Sequence, residues 1–240
     1  MKQNSFISVI LTVACSLMFV ACSDWTEPTP VDYNPIFPDE QAPSLHEKYE
    51  QSLKEYKNRK HTLILICFTN NPGTTLGEQD FLRSLPDSVD FVVLTNADNL
   101  SVYDKKDISK LKRTGTKFLY YKNLSEFYDQ CEETENLEEF KTKMNAALKN
   151  GESDEFDGYY VQFGRAGSMM HVDFFNEVTT AIREKLAAIG GPKANNGKLV
   201  FFDGIVTFTV DYSGRYEEPF IDLVDYFVDG QIVLLESSLE

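Results

Sequence analysis

The stretch HTLILICFTN, residues 61–70, decides how the rest of the chain is interpreted. Its centre, residues 63–68, is apolar at every position. A strand with one solvated face alternates apolar and polar side chains, whereas a strand that is covered on both faces does not. We therefore expect a buried strand of a parallel sheet, followed by a turn at residues 71–73, Asn-Pro-Gly.

Helix and strand patterns alternate on both sides of this first strand. Upstream, four apolar residues at helical spacing predict a helix over 44–59 with one apolar face. They are Leu45, Tyr49, Leu53 and Tyr56. The strands predicted downstream span 89–96, 116–122, 155–163, 198–203 and the end of 220–228, and the tail 231–240 is a candidate seventh. The predicted helices span 78–85, 101–113 (with Val102, Ile108 and Leu111 inward), 124–150 as one helix or a pair, and 174–189.

This alternation of strands and helices predicts an α/β fold with a parallel sheet. Two architectures fit the pattern, a (β/α)8 barrel and an open, doubly wound sheet. No glycine-rich phosphate loop follows the first strand, which disfavours the dinucleotide-binding form of the open sheet.

The first 21 residues have the pattern of a cleaved secretion signal. Lys2 precedes an apolar run over 6–21 that is too short and too interrupted to predict a membrane span. The run ends in Phe19-Val20-Ala21-Cys22, which resembles the lipobox of bacterial lipoproteins, although Phe19 stands where leucine is usual. The resemblance implies a lipid on Cys22. The alternative is an ordinary signal peptide that is cut nearby.

Residues 22–43 are expected to form a tether between that anchor and a domain over 44–240. After Cys22 the segment holds five prolines and five acidic residues without apolar periodicity, a composition typical of an extended linker. Ser23 and Asp24 resemble the acidic export signals of Bacteroidetes surface lipoproteins. That resemblance implies the outer face of the outer membrane.

Charge and cysteine content exclude several classes of function. The formal net charge of −15 and the lack of a basic patch disfavour nucleic-acid binding. Cys67, inside an apolar run, is interpreted as a small buried hydrophobe, and a disulfide between Cys67 and Cys131 is left open. The three histidines are scattered, and neither CxxC nor HExxH occurs, so we expect no metal site and no cofactor.

Six segments together resemble glycoside hydrolase family 18, in particular its chitinase-like and endo-β-N-acetylglucosaminidase-like lipoproteins of Bacteroidetes. In chain order they are CSDW, EKYEQSLKEYK, HTLILICFTN, LPDSVDFVVLTNADNL, GTKFLYY and FDGYYVQFG. The resemblance covers most of residues 22–229. The resemblance implies a (β/α)8 barrel whose active site lies at the carboxyl ends of its strands.

The fourth strand is where the family pattern and this sequence differ. The family pattern reads Asp-Gly-x-Asp-x-Asp-x-Glu, in which the Glu protonates the leaving oxygen and the acid before it holds the substrate N-acetyl group. Asp157 and Gly158 match this pattern, but Tyr160, Gln162 and Gly164 occupy the three inner acid positions. The resemblance therefore implies no hydrolysis by the family mechanism, and no catalytic residue is assigned.

Length is a second difference from the family. An eight-stranded barrel usually takes about 250 residues, and fewer than two hundred follow residue 43. We expect an incomplete barrel of about six parallel strands with surrounding helices. Its sheet would be left open or be covered by another chain, unless the chain is the product of a truncated gene.

The resulting hypothesis is a surface-anchored, catalytically inactive lipoprotein that binds N-acetylglucosamine-containing glycan, either a chitooligosaccharide or an N-glycan. The candidate ligand-binding residues all lie near strand ends and are Asn70, Asn96, Tyr121, Tyr160, Gln162, Asp203 and Asp229. Each also has a purely structural alternative. The resemblance further implies contact with the membrane through the anchor alone and a glycan-uptake complex in the outer membrane. Two alternatives are an active hydrolase that uses Asp203 or Asp229 as a displaced acid, and a vestigial barrel without a ligand.

Overall fold

The computed structural model describes residues 43–71, 73–74, 77–165, 170–205, 214–216 and 218–228. Cys22, the predicted signal and tether up to residue 42, Asp229 and the candidate seventh strand lie outside the described residues. By internal contacts the chain divides into two units, Met1–Glu47 and Lys48–Glu240. The sheet and the site described below belong to the second unit.

Six strands form one parallel sheet in which the spatial order equals the order along the chain. They are β1 (Leu65–Phe68), β2 (Phe91–Leu94), β3 (Lys117–Asn123), β4 (Gly158–Phe163), β5 (Leu199–Gly204) and β6 (Tyr226–Val228). A doubly wound sheet reverses its strand order at a switch point, whereas this one does not. The architecture is an incomplete TIM-type barrel, as the sequence predicted.

In the described part of the chain, α-helices follow β2, β3 and β4, and one α-helix precedes β1. They are α1 (Pro43–Lys57), α2 (Val102–Lys112), α3 (Ser125–Cys131), α4 (Leu137–Lys149), α5 (Val172–Ile189) and the short α6 (Gly191–Ala194). The segment 124–150 is therefore a helix pair, whereas the predicted helix over 78–85 is instead two 3-10 turns, Glu78–Asp80 and Leu82–Ser84. None of the helices in the described ranges combines the length and the apolar character that crossing a bilayer requires.

Alternate residues of each strand face opposite sides of the sheet, which gives two apolar clusters. The larger cluster lies between the sheet and the helices and includes Val92, Phe118 and Val161, all without solvent exposure. The smaller cluster lines the concave side of the sheet, which is the barrel interior. Its buried members are Phe91, Val93, Leu119, Tyr160 and Phe201.

Three aspartates, which we call the bracket aspartates, join neighbouring strands at their amino ends. Each aspartate donates its backbone N–H to the carbonyl oxygen of one residue in, or directly before, the neighbouring strand. Its carboxylate accepts the backbone N–H of that same residue. The three pairs are Asp90 with Ile64, Asp157 with Phe118, and Asp225 with Val200. In all three the distance from the backbone N to the carboxylate Oδ2 is 2.8 Å. The brackets therefore connect β1 to β2, β3 to β4, and β5 to β6.

The backbone carbonyls of two bracket aspartates connect these strand pairs to each other. Lys117 N donates to Asp90 O at 2.9 Å, and Leu199 N donates to Asp157 O at 2.9 Å. Asp90 thus contacts the amino ends of three strands, β1, β2 and β3, and Asp157 does the same for β3, β4 and β5. Because register in a sheet fixes which side chains share a layer, the brackets also fix the layers of the barrel interior.

The prediction that the first strand is buried on both faces is wrong. Leu63 and Ile64, just before β1, are 45% and 38% exposed, and Cys67 within it is exposed rather than buried. The physical reason is that, among the described strands, only β2 pairs with β1, so β1 is an edge strand. Cys67 and Cys131 are both free thiols.

The predicted apolar face of the first helix is also wrong, because Leu45, Tyr49 and Tyr56 are exposed. Polar contacts hold the C-terminal turns of α1 instead. Lys57 Nζ donates to Val89 O at 2.7 Å and to Thr116 Oγ1 at 2.8 Å. In α2, likewise, Val102 points outward with 82% exposure, whereas Ile108 and Leu111 are buried as predicted.

Replacing Asp225 with alanine tests the bracket. Asp225→Ala leaves the buried N–H of Val200 without its acceptor, so we expect unfolding to become easier by about 1–3 kcal/mol. Asp225→Asn keeps an acceptor oxygen and should lose less. The measurement is urea-induced unfolding of the full chain.

Asp222→Ala is the matched control, because Asp222 is exposed three residues earlier and its carboxylate accepts no N–H from the described strands. We expect it to change stability by less than about 0.5 kcal/mol. Equal losses in Asp225→Ala and Asp222→Ala would show that the bracket contributes nothing to stability.

Candidate functional site

The concave side of the sheet presents its side chains in layers. One layer is aromatic, since Tyr121, Tyr160, Phe201 and Tyr226 are in register on four successive strands. Neighbouring ring centroids are 6.1 Å, 6.5 Å and 4.4 Å apart in that order. This layer fills the barrel interior beneath its carboxyl-end opening.

The next layer toward the carboxyl ends is polar. Asn123, Gln162 and Asp203 are in register there on β3, β4 and β5. Asn123 Oδ1 accepts the backbone N–H of Ser125 at 2.9 Å, which starts α3. Gln162 and Asp203 are the members of this layer that remain available to form a site.

Four side chains from the two layers form one hydrogen-bonded chain, which we call the mouth network. Tyr121 donates its hydroxyl to Gln162 Oε1 at 2.7 Å. Gln162 Nε2 donates to Asp203 Oδ2 at 2.9 Å, and the Tyr160 hydroxyl donates to the same oxygen at 3.0 Å. The structure therefore brings together four of the candidates predicted from the sequence, which are Tyr121, Tyr160, Gln162 and Asp203.

The electrostatics of the mouth network depend on Asp203. Burial raises the pKa of Tyr160 far above its usual range, and the Asp203 carboxylate raises it further. Burial and then Asp203 also raise the pKa of Tyr121. Although Cys67 is accessible to solvent, partial desolvation by its neighbours and then Asp203 raise the pKa of its thiol as well. These three groups therefore stay protonated at neutral pH. The network then offers neutral donors around a single carboxylate.

Asn70 and Asn96 are used within the protein instead. Asn70 has no solvent exposure, and its Nδ2 donates to Asn96 O at 3.0 Å while its Oδ1 accepts Asn96 N at 3.1 Å. Asn96 Nδ2 returns a bond to Asn70 O at 3.2 Å. These bonds tie the ends of β1 and β2 together. A ligand role for either residue stays a prediction, and so does one for Asp229.

A cavity of about 210 Å³ lies at the same carboxyl edge, beside Tyr121. Its wall includes the ion pair between Lys122 Nζ and Asp98 Oδ2 at 2.7 Å. The complete lining is Thr95, Asn96, Ala97, Asp98, Tyr121, Lys122, Asn123, Glu126 and Phe127. Asn96 and Tyr121 thus line one cavity. In the described part of the chain they are not joined by a hydrogen bond.

Gly164 stands just beyond β4, where the family pattern has its catalytic glutamate. A Cβ added to Gly164 would meet no atom of the described residues within 4 Å, so a side chain at this position would begin in open space. Gly158, at the start of the same strand, is different, because a Cβ there would approach Leu199 O at 2.2 Å. The backbone of β4 therefore needs glycine at Gly158 but leaves room for a side chain at Gly164.

Cys67 lies on the concave side of the sheet, a position that was not predicted from the sequence. It is in register with Val93, a member of the concave cluster, and it lies two residues after Leu65, which packs against that cluster. The alternation of facing along a strand was the signal that would have placed it. The uniform apolarity of residues 63–68 concealed that alternation.

Gln162→Glu tests whether the side chains of Gln162 and Asp203 form a close pair in the mouth network. The new carboxyl would stand at hydrogen-bond distance from the Asp203 carboxylate. Ionising both groups would cost free energy, because two negative charges at that distance repel each other. The pKa of the new Glu should rise in the folded state. A raised pKa means that the folded chain holds more protons than the unfolded chain, so stability falls as pH rises through that pKa. Relative to the unsubstituted protein, we expect a loss of about 2 kcal/mol at pH 8 that nearly vanishes at pH 4.5, by urea unfolding.

Gln51→Glu is the control, because Gln51 Nε2 contacts Glu55 Oε1 at 3.1 Å on an exposed helix surface. The same like-charge pair in water should cost only a few tenths of a kcal/mol. If Gln162→Glu shows no more pH dependence than Gln51→Glu, Gln162 and Asp203 do not form the close pair described.

Two solved structures resemble this fold. A selenomethionine form of BT1044 with one substitution has a TM-score of 0.50 and 18% identity, covering 79% of this chain and 63% of that chain. A doubly substituted endo-β-N-acetylglucosaminidase from Cordyceps militaris, in complex with fucosyl-N-acetylglucosamine-Asn, has a TM-score of 0.50 and 16% identity, covering 74% and 60%. The chain thus spans less than two thirds of either protein. At these identities the likeness establishes the fold.

A comparison with curated proteins gives no match. The sequence model of glycoside hydrolase family 18, BT1044-like, matches residues 26–183, which is more than half of the 240 residues. That span includes the first four strands and the whole segment in which Tyr160, Gln162 and Gly164 replace the acids of the family pattern. The chain belongs to glycoside hydrolase family 18, in its BT1044-like group.

Proposed function

We propose that this protein is a surface-anchored, catalytically inactive member of glycoside hydrolase family 18 that binds N-acetylglucosamine-containing glycan. The single observation that carries the proposal is the mouth network. It places hydrogen-bonding groups at the carboxyl end of the barrel, where this fold binds its substrates, while the catalytic position beside it is Gly164.

Inactivity follows from the chemistry that the fourth strand lacks. A general acid contributes about 10²- to 10⁴-fold to such a reaction, and Gly164 has no group that can donate a proton. Asp203 is the acid of the mouth network, and its Oδ2 already accepts hydrogens from Tyr160 and from Gln162. A proton for catalysis would have to stand on its other oxygen, so Asp203 is the residue to test as a displaced acid.

Glycan binding is supported by the arrangement of the two concave layers. Sugar-sized ligands are held by apolar and aromatic surface together with a few convergent polar groups. Here an aromatic layer lies directly beneath Gln162 and Asp203. The Cordyceps militaris relative was solved in complex with fucosyl-N-acetylglucosamine-Asn, which supports N-acetylglucosamine as the sugar to test first.

The anchor is part of the same proposal. The lipobox-like sequence ending at Cys22 and the proline-rich tether after it support a lipoprotein of the outer membrane that faces the cell exterior. In that setting the barrel would reach glycan polymers outside the cell. Partner proteins of a glycan-uptake complex in the same membrane would then receive the bound glycan.

Isothermal titration calorimetry tests binding. The full chain in detergent is titrated with chitotriose and, separately, with a high-mannose N-glycan. We expect saturable heat with at least one of them, and a loss of affinity of about tenfold in Gln162→Ala, the size expected for one hydrogen-bonding partner. The exposed variant Asp222→Ala should bind like the unsubstituted protein. Folded protein that gives no heat with either glycan would refute glycan binding.

Incubation with a fluorogenic chitobioside and with a high-mannose glycoprotein tests inactivity. We expect no release above the buffer rate over a day, because the general acid is missing. Turnover that disappears in Asp203→Asn would instead establish the displaced-acid alternative and contradict inactivity.

Metabolic labelling with an alkyne fatty acid tests the anchor. We expect label on the protein in a lipoprotein-processing bacterial host and its loss in Cys22→Ser. Cys15→Ser, which changes a cysteine inside the predicted signal, should keep the label. Equal labelling of the two variants would rule out Cys22 as the lipidated residue.

A further inference from the structure

Building on the proposed glycan binding, we infer that the mouth network selects glycans with a free, protonated amino group over N-acetylated and anionic glycans. The juxtaposition that carries this inference is the Asp203 carboxylate at the barrel mouth, which has no ion-pair partner among the described residues and whose described hydrogen-bond partners are the neutral side chains of Tyr160 and Gln162. The ligand class is an amino sugar such as a de-N-acetylated chitooligosaccharide.

One oxygen of Asp203 belongs to the mouth network, and the other accepts no hydrogen bond from the residues that the structure describes. Its Oδ2 accepts both the Tyr160 hydroxyl and the Gln162 amide. Asp203 is half-buried, and in the described part of the chain no Lys, Arg or His lies within ion-pair distance of it. A partly desolvated carboxylate without a cationic partner is unfavourable. A cationic ligand would therefore be stabilised by its attraction to Asp203.

The surroundings of Asp203 strengthen its negative field. The described concave-side groups nearest to it are Cys67, Tyr121, Tyr160 and Gln162, and all are neutral at physiological pH. Lys122 follows Tyr121 in β3 but lies on the opposite face and pairs with Asp98 at 2.7 Å. The net charge of the whole chain, −15, has the same sign as Asp203. The field at the mouth therefore attracts cations and repels carboxylated or sulfated sugars.

The difference between an amine and an acetamide sets the expected size of the effect. An acetamide offers Asp203 a neutral N–H, whereas a protonated amine offers a charge-assisted hydrogen bond, which is about twice as strong. Solvent at the half-buried Asp203 reduces the difference. We expect a preference of about tenfold, which corresponds to about 1.4 kcal/mol.

The test compares three trisaccharides on the full chain by calorimetry at pH 6, where a sugar amine carries its proton. They are chitotriose, its fully de-N-acetylated counterpart and trigalacturonate. We expect the de-N-acetylated trisaccharide to bind about tenfold more tightly than chitotriose, and trigalacturonate not to bind. In Asp203→Asn the two chito-trisaccharides should bind within about threefold of each other. Asp222→Asn, which removes an exposed charge, should keep the full preference.

A second measurement does not depend on any variant. Raising the salt concentration from 0.05 M to 0.5 M should shrink the amine preference of the unsubstituted protein to less than half, since screening weakens charge pairing but not neutral hydrogen bonds. Chitotriose binding without an amine preference would overturn the selectivity and leave the proposed function standing. A preference that survives in Asp203→Asn would overturn the role of Asp203. Failure of both chito-trisaccharides to bind would overturn the amine selectivity, and glycan binding would then depend on the separate titration with the high-mannose N-glycan.

Discussion

The bracket aspartates are the constraint on which the rest of the structure depends. Asp90, Asp157 and Asp225 each satisfy one backbone N–H with a carboxylate and one carbonyl with their own N–H, just where a strand begins. Amino-end backbone groups that were left unpaired beside a buried core would each cost free energy. The repeat of one motif at every second strand therefore holds six strands in a common register.

Register connects these amino-end contacts to the chemistry at the opposite end of the sheet. A slip of one residue in β4 would turn Tyr160 and Gln162 from the concave side to the helix side. The hydrogen bonds of both residues to Asp203 would then be impossible, because the three side chains share one face only in the observed register. The mouth network is in this sense set by Asp157, at the other end of the strand.

Much of the fold could be predicted from the sequence, because strand and helix periodicities are local properties. The strands, the helical character of 124–150 and the grouping of Tyr160 with Gln162 follow from period and facing alone, whereas the division of 124–150 into two helices does not. The exposure of β1 and α1 could not be predicted, since it depends on which neighbours cover Cys67 or Tyr56 and not on their own hydrophobicity. The pairing of Asn70 with Asn96 was equally hidden, because it joins residues that are 26 positions apart.

At Gly164 the requirements of folding and of catalysis are independent of each other. Because a Cβ there would meet no described atom within 4 Å, a side chain added at this position begins in open space. Folding therefore places little constraint on whether position 164 carries an acid. A return to the family pattern would also need acids in place of Tyr160 and Gln162, whereas any side chain at Gly158 would collide with Leu199.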